Sequence, residues 1–143
     1  MSTWLSRDVT ANGIQIHYYR TGGEGKPPLV LLHGFSDNGL CWTRVARELE
    51  QDYELIMPDA RGHGFSDAPK EGYSSPHYAA DVAGLIKALE LDRPAVMGHS
   101  MGAATAAAVT VDHPEAACCV LLEDPPWFSE DSPWYRNRAG TSP

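Results

Sequence analysis

The chain has 143 residues, 43% of them hydrophobic, a size that suits one domain with a hydrophobic core. Eleven basic and nineteen acidic residues give a net charge of −8, which argues against nucleic acid or an anionic membrane as a partner. No apolar run is long enough to span a bilayer and the N-terminus does not resemble a signal peptide, so we expect a soluble, cytoplasmic protein. The three cysteines include the adjacent pair Cys118-Cys119 in an apolar run, which predicts reduced, buried thiols and no metal site.

The N-terminal segment predicts a β-hairpin. Two strand candidates, residues 6–10 and 13–20, are separated by Asn12-Gly13, a pair typical of two-residue hairpin turns. Apolar and polar residues alternate in the second strand, so one of its faces is expected to be buried. His17 alternates with the apolar residues Ile14, Ile16 and Tyr18 and is therefore expected on the opposite face, towards solvent.

The next segments predict two buried strands with a helix between them. Pro28 to Leu32 is a continuous apolar run, typical of a strand covered on both faces of a parallel sheet. Residues 38–50 predict a helix with Trp42 on its apolar face and Cys41 in its core. Residues 53–57 predict the next buried strand.

The second half repeats the alternation of helix and strand. A polar segment, residues 58–67, is expected to be braced by an ion pair between Asp59 and Arg61. Ser75-Pro76 then predicts the start of a helix. Three further elements follow: a strand over 94–97, an Ala-rich helix over 103–111 and a last strand over 116–122. This alternation predicts an α/β fold with a doubly wound, mostly parallel sheet and ligands at the carboxyl ends of its strands.

The pentapeptide Gly98-His99-Ser100-Met101-Gly102 joins the predicted central strand to the Ala-rich helix. Strand, sharp turn and helix form the context in which a Gly-x-Ser-x-Gly motif presents a nucleophilic serine. The two glycines allow the strand and helix backbones to approach closely. Ser100 precedes the helix N-terminus, where free N–H groups and the dipole favour negative charge. Ser100 is therefore the candidate nucleophile.

Three separated motifs together resemble the α/β-hydrolase superfamily, in particular its serine esterase, C–C hydrolase and perhydrolase-like members. They are His33-Gly34-Phe35, the segment 59–64 and the Ser100 pentapeptide, and the resemblance covers about residues 10 to 124. It implies that the backbone N–H groups of Phe35 and Met101 form an oxyanion hole. It also implies that His33, Gly34, Gly98, His99 and Gly102 support the motifs. A serine at position 100, where dehalogenase and epoxide-hydrolase relatives carry aspartate, points to acyl chemistry.

The resemblance also implies an acid and a histidine after the serine. Asp124, with Glu123 as the alternative, occupies the place of the acid that some members carry after the sixth strand, whereas no histidine follows His113. We therefore expect a fold truncated after about the sixth strand, with residues 1–124 as a partial core and 125–143 as the start of a cap or an irregular tail.

Two interpretations of the chain stay open. It is the nucleophile-bearing half of a serine hydrolase whose histidine lies elsewhere, or it is a binding or pseudo-enzyme module. The expected partners are a small acyl substrate and a second copy of the chain that pairs through the exposed last strand. The substrate pocket is expected to be lined by Phe35, Trp42 and Met101. No cofactor is expected. Among the histidines of this chain, only His33 and His63 are expected in loops at the carboxyl end of the sheet, where a base for Ser100 would have to lie.

Overall fold

The computed structural model describes residues 3–23 and 25–126, and its centre is a six-stranded mixed sheet. The strands are β1 (Leu5–Ala11), β2 (Ile14–Arg20), β3 (Pro28–Leu32), β4 (Glu54–Pro58), β5 (Ala95–His99) and β6 (Cys119–Glu123). Their order across the sheet is β1-β2-β4-β3-β5-β6. β2 pairs antiparallel with β1 and β4, whereas all pairs from β4 to β6 are parallel. The predicted α/β class and mostly parallel sheet are confirmed.

Three α-helices accompany the sheet: α1 (Thr43–Leu49), α2 (Ser75–Ala88) and α3 (Met101–Asp112). A short 3₁₀ turn, Gly39–Trp42, precedes α1, and the Asn38 side chain caps it by accepting a hydrogen bond from the Leu40 N–H. The predicted single helix over 38–50 is thus divided in two. In the described part of the chain, no helix is both long and apolar enough to cross a bilayer.

The first hairpin follows its turn sequence. Asn12 and Gly13 have φ of 50° and 75°, which are the two left-handed conformations that a two-residue turn between twisted strands requires. The strands pair from Leu5 opposite Arg20 to Ala11 opposite Ile14. The predicted hairpin is confirmed.

The core consists of two layers, one on each face of the sheet. Val30, Ile56 and Val96 pack under α2 and α3, while Leu31 and Leu55 pack on the opposite face with residues of the 3₁₀ turn and α1. Successive residues of a strand point to opposite faces, so a strand covered on both sides needs an unbroken apolar run. The predicted doubly wound arrangement is confirmed.

Several predictions about single residues are wrong. His17 is only 8% exposed, because the segment after β4 covers its face of β2 and the Ser66 Oγ accepts a hydrogen bond from the His17 N–H at 2.8 Å. Cys41 is exposed, because the 3₁₀ turn directs Trp42 rather than Cys41 into the core. Cys118 and Cys119 are exposed because β6 lies at the edge of the described sheet.

β6 ends at Glu123, one residue before the proposed boundary at residue 124, and that boundary stays a prediction. Of the region 125–143 that was assigned to a cap or tail, residues 127–143 lie outside the described residues.

Candidate active site

Ser100 occupies the sharp turn between β5 and α3. Its φ of 51° and ψ of −113° are uncommon for a residue with a side chain and cost about 1–3 kcal/mol. A Cβ at position 98 would overlap the backbone of Gly102, and a Cβ at position 102 would overlap the carbonyl oxygen of Leu32. Only glycine fits at both positions, since β3, β5 and the first turn of α3 are in backbone contact. The packing therefore holds the serine in its strained conformation.

The end of β6 fixes the other side of this turn. Glu123 lies opposite His99 in the parallel β5–β6 pair, and its carbonyl oxygen accepts a hydrogen bond from the Ser100 N–H at 2.9 Å. Asp124 comes directly after Glu123 with a φ of 46° and an exposed side chain. The structure thus places Asp124 at the carboxyl edge of the sheet, one residue beyond the contact with the nucleophile turn.

The loop after β3 lies against the same turn. A Cβ at Gly34 would lie 3.1 Å from the His99 Nδ1 and 3.6 Å from the Ser100 Cβ, so this glycine permits the close approach. Phe35 follows with a side chain that is 69% exposed. Within the described residues, neither the Phe35 N–H nor the Met101 N–H donates to a protein acceptor. One free backbone donor therefore follows Ser100 at the positive end of a twelve-residue helix, and the other lies in the loop that packs against Ser100.

His33 is a structural residue of this loop. Its ring nitrogens are both engaged: Nδ1 donates to the Gly34 carbonyl oxygen at 2.7 Å, and Nε2 accepts from the Ala60 N–H at 2.9 Å. Burial lowers the pKa of His33 below its ordinary value, which agrees with a neutral ring that both donates and accepts. No lone pair of His33 remains for the Ser100 hydroxyl.

His63 also connects two loops, but both of its ring nitrogens face carbonyl oxygens, and a neutral ring donates to only one of them. Its Nε2 lies 2.6 Å from the Phe35 carbonyl oxygen and its Nδ1 lies 3.0 Å from the Arg61 carbonyl oxygen. The ring therefore links the loop that carries Phe35 with the loop after β4. In the described part of the chain, no histidine is hydrogen-bonded to Ser100.

The predicted ion pair between Asp59 and Arg61 does not form. The Asp59 carboxylate instead accepts backbone N–H groups, from Gly39 at 2.8 Å and from Phe65 at 2.9 Å. Arg61 pairs with Asp81 of α2 through Nε at 2.5 Å and Nη2 at 2.6 Å, and these hydrogen bonds raise the pKa of Arg61. The sequence did not lead to Asp81 as the partner of Arg61. The available signal was a single acidic residue among the apolar positions of α2.

A cleft of about 600 Å³ opens beside the candidate nucleophile, with aromatic and polar walls. Phe35 and Met101, which supply the two free N–H groups, both line it, together with His63, Tyr73, Ser74 and Tyr78. Trp42 was expected as a third wall but is buried in the core with Leu31 and Met57. In the part of the chain that the structure describes, no group of three or more His, Cys, Asp or Glu side chains could hold a metal ion.

The fold and the turn can now be compared with known proteins. A family model described as the alpha/beta hydrolase fold matches residues 27–142. The chain belongs to this family. As an alpha/beta hydrolase it has the Ser100 turn, the loop after β3 and the loop after β4 in contact at one end of the sheet.

Similar alpha/beta hydrolases include enzymes with different names. N-formylmaleamate deformylase of Pseudomonas putida is 34% identical and matches 94% of this chain and 53% of its own length. Epoxide hydrolase 4 of Mus musculus is 34% identical over 75% of this chain and 30% of its own length. The structure titled "Est816 as an N-Acyl homoserine lactone degrading enzyme" has a TM-score of 0.77 and 37% identity, covering 83% of this chain and 45% of that one. The chain thus spans about a third to a half of these relatives.

Proposed function

We propose that this chain carries the nucleophile and the oxyanion site of a serine hydrolase that acts on an ester or a related acyl compound. The observation that carries the proposal is the strained conformation of Ser100, which is followed by the free N–H of Met101 and packed against the loop that carries the free N–H of Phe35. Strain of this kind persists only where the surrounding structure imposes it, and it is concentrated at functional sites.

The reaction assigns a role to each group. The Ser100 Oγ attacks the acyl carbon, its proton passes to a base, and the carbonyl oxygen becomes an oxyanion. The N–H groups of Met101 and Phe35 donate to that oxyanion, and the leaving group departs with a proton from the base. Water then hydrolyses the Ser100 ester. Asp124 is proposed as the acid that orients the base, because it lies at the same edge of the sheet.

The base is proposed to be a histidine outside these 143 residues. Both ring nitrogens of His33 are hydrogen-bonded to backbone groups, and those of His63 face the Arg61 and Phe35 carbonyl oxygens rather than Ser100. No histidine follows His113 in the sequence. The sheet accepts further strands beside β6, whose outer edge is unpaired within the described residues. A segment added there would reach the carboxyl edge that carries Ser100.

The residue at the nucleophile position, rather than the names of the relatives, supports acyl chemistry over epoxide opening. A deformylase and an N-acyl homoserine lactone degrading enzyme are among them, as are epoxide hydrolases. Epoxide-hydrolase relatives carry aspartate at the nucleophile position in the family pattern, whereas this chain has Ser100. We therefore assign it to the acyl-transferring members.

One observation favours a different function. The Ser100 hydroxyl has no basic partner among the described residues, which is what a non-catalytic binding module of this fold would show. Such a module would use the 600 Å³ cleft to hold a small molecule without transforming it.

Complementation separates the two functions. A polypeptide with two further strands and a histidine, added in trans, should raise the kcat of ester hydrolysis about a thousandfold, because the members of a triad act as a unit. The gain should disappear in Ser100→Ala and be intermediate in Asp124→Asn. A gain that survives Ser100→Ala refutes the proposal, and a cleft that binds an ester with no gain on complementation favours the binding module.

A further inference from the structure

The first hairpin carries a second array of serine, histidine and carboxylate. The His17 Nε2 lies 3.0 Å from the Ser6 Oγ, and the His17 Nδ1 lies 2.7 Å from the Asp8 Oδ1. Asp8 is directly opposite His17 in the β1–β2 pair, and Ser6 is two residues before Asp8, so all three side chains project from one face. The hairpin is separated from β5 by β4 and β3, which makes this array independent of Ser100.

The contacts give His17 the tautomer that a base requires. A carboxylate accepts a proton but cannot donate one, so Asp8 fixes the proton of the neutral ring on Nδ1. The lone pair of Nε2 then faces the Ser6 hydroxyl, and the Ser6 Oγ–H donates to it. Ser6, His17 and Asp8 thus have the spatial arrangement of a nucleophile, its base and the acid that orients the base.

The position of the ring is fixed by packing, whereas the serine is accessible. The His17 ring makes edge contacts with the rings of Tyr19 and Phe65, at centroid distances of 5.0 Å and 5.2 Å. Its own backbone N–H is held by the Ser66 Oγ. Ser6 is exposed, and Phe65, which contacts the His17 ring, is 78% exposed, so an aromatic reagent has an apolar surface near the base to lie against.

We infer that Ser6 is a second activated nucleophile, with His17 as its base and Asp8 as the residue that positions His17, and that it reacts with aryl esters and phosphonyl fluorides. With an aryl ester, the bond from the Ser6 Oγ to the acyl carbon forms and the bond to the aryl oxygen breaks. The Ser6 proton passes to the His17 Nε2 and from there to the departing aryl oxide. Water then hydrolyses the Ser6 ester with His17 as the base, which releases the carboxylic acid and restores the Ser6 hydroxyl. With a phosphonyl fluoride, the bond from the Ser6 Oγ to phosphorus forms, the P–F bond breaks, and the Ser6 proton leaves with fluoride through His17.

The chain contains a matched control for this inference. The Ser74 Oγ lies 2.7 Å from the His77 Nδ1, and Ser74 is near the start of α2. No carboxylate contacts His77 among the described residues. Ser74 therefore has a histidine without an orienting acid, whereas Ser6 has both, and the two serines can be compared within one molecule.

The test uses the full chain with Ser100→Ala, so that the proposed active site cannot react. Time-resolved peptide mapping after addition of an aryl fluorophosphonate measures the labelling rates of Ser6 and Ser74 separately. Ser6 should be labelled at least about tenfold faster than Ser74, since removal of the orienting acid from a serine–histidine pair lowers the rate by up to about 10⁴. Asp8→Asn should reduce the Ser6 rate to near that of Ser74 and leave Ser74 unchanged, because the exposed amide keeps the shape of Asp8 but not its proton preference.

A second variant keeps the test independent of hairpin stability. His17→Gln removes the base, and its circular dichroism and melting temperature show whether the fold is retained. Equal labelling of Ser6 and Ser74 in the Ser100→Ala chain would overturn the inference. A Ser6 rate that Asp8→Asn leaves unchanged would also overturn it, and would leave the array as a polar contact between strands.

Discussion

The buried pair of Arg61 and Asp81 is expected to dominate the stability of the loop after β4. Both residues are 5% exposed, and Asp81 receives two hydrogen bonds from the guanidinium and a third from the Asn12 side chain at 2.8 Å. Arg61 also donates to the Gly72 carbonyl oxygen at 2.6 Å. This pair therefore ties α2 to the hairpin turn and to the segment before α2.

Asp81→Asn keeps the shape of the side chain and removes its charge. The guanidinium then stays buried without a counter-charge, which costs about 3–5 kcal/mol. For a domain of this size the melting temperature should fall by about 10–15 °C. Urea denaturation followed by circular dichroism measures the free energy of unfolding directly.

A second bidentate pair provides the control. Arg20 donates to both oxygens of Glu54 at 2.8 Å and 3.0 Å, but the side chain of Arg20 is partly exposed. Glu54→Gln should therefore cost only about 1 kcal/mol. Equal losses of unfolding free energy in the two variants would refute the reasoning, because burial would then not determine what the ion pair contributes.

Three further predictions concern the site and the sheet edge. Gly102→Ala should destabilise the fold by about 1–3 kcal/mol through overlap with the β3 backbone. Gly84→Ala in α2 should cost less, because its Cβ would be in tight contact at 3.3 Å without overlap and the helix propensity gained offsets this contact. Because the pKa of His33 is lowered from 6.5, the unfolded chain binds more protons below that pH. The unfolding free energy should thus fall as the pH drops below about 6.5, and fall less in His33→Gln. We also propose that β6, with Leu121 47% exposed, pairs with a second copy; sedimentation should show a dimer that Leu121→Lys dissociates, and a monomeric parent chain would contradict this.

Local sequence patterns predicted those turns and strands well whose conformation is determined by their own residues. Asn12-Gly13 dictates its turn through positive φ, and Pro28–Leu32 forms the predicted strand residue for residue. The turn at Ser100 also followed from its glycines, because the contact that excludes a Cβ is the reason for the glycine.

Predictions failed where a distant segment decides the environment. Alternation in β2 correctly separated two faces but could not show that the loop carrying Phe65 and Ser66 covers the second face, where His17 lies. Arg61 has an acid two residues before it in the sequence, yet its partner is Asp81, twenty residues later on α2. The exposure of Cys118 and Cys119 likewise depends on what lies beside β6, which composition does not reveal.

The central claim, that Ser100 is the nucleophile of an acyl-transfer reaction, can be tested by trapping the acyl group. The chain with Ser6→Ala, which removes the hairpin nucleophile, is incubated with p-nitrophenyl acetate, and peptide mapping by mass spectrometry locates the acetyl adduct. We expect the adduct on Ser100, formed slowly without a base, and none at that position when Ser100→Ala is added. An adduct spread over Ser36, Ser66 and Ser74 with none on Ser100 would contradict the account.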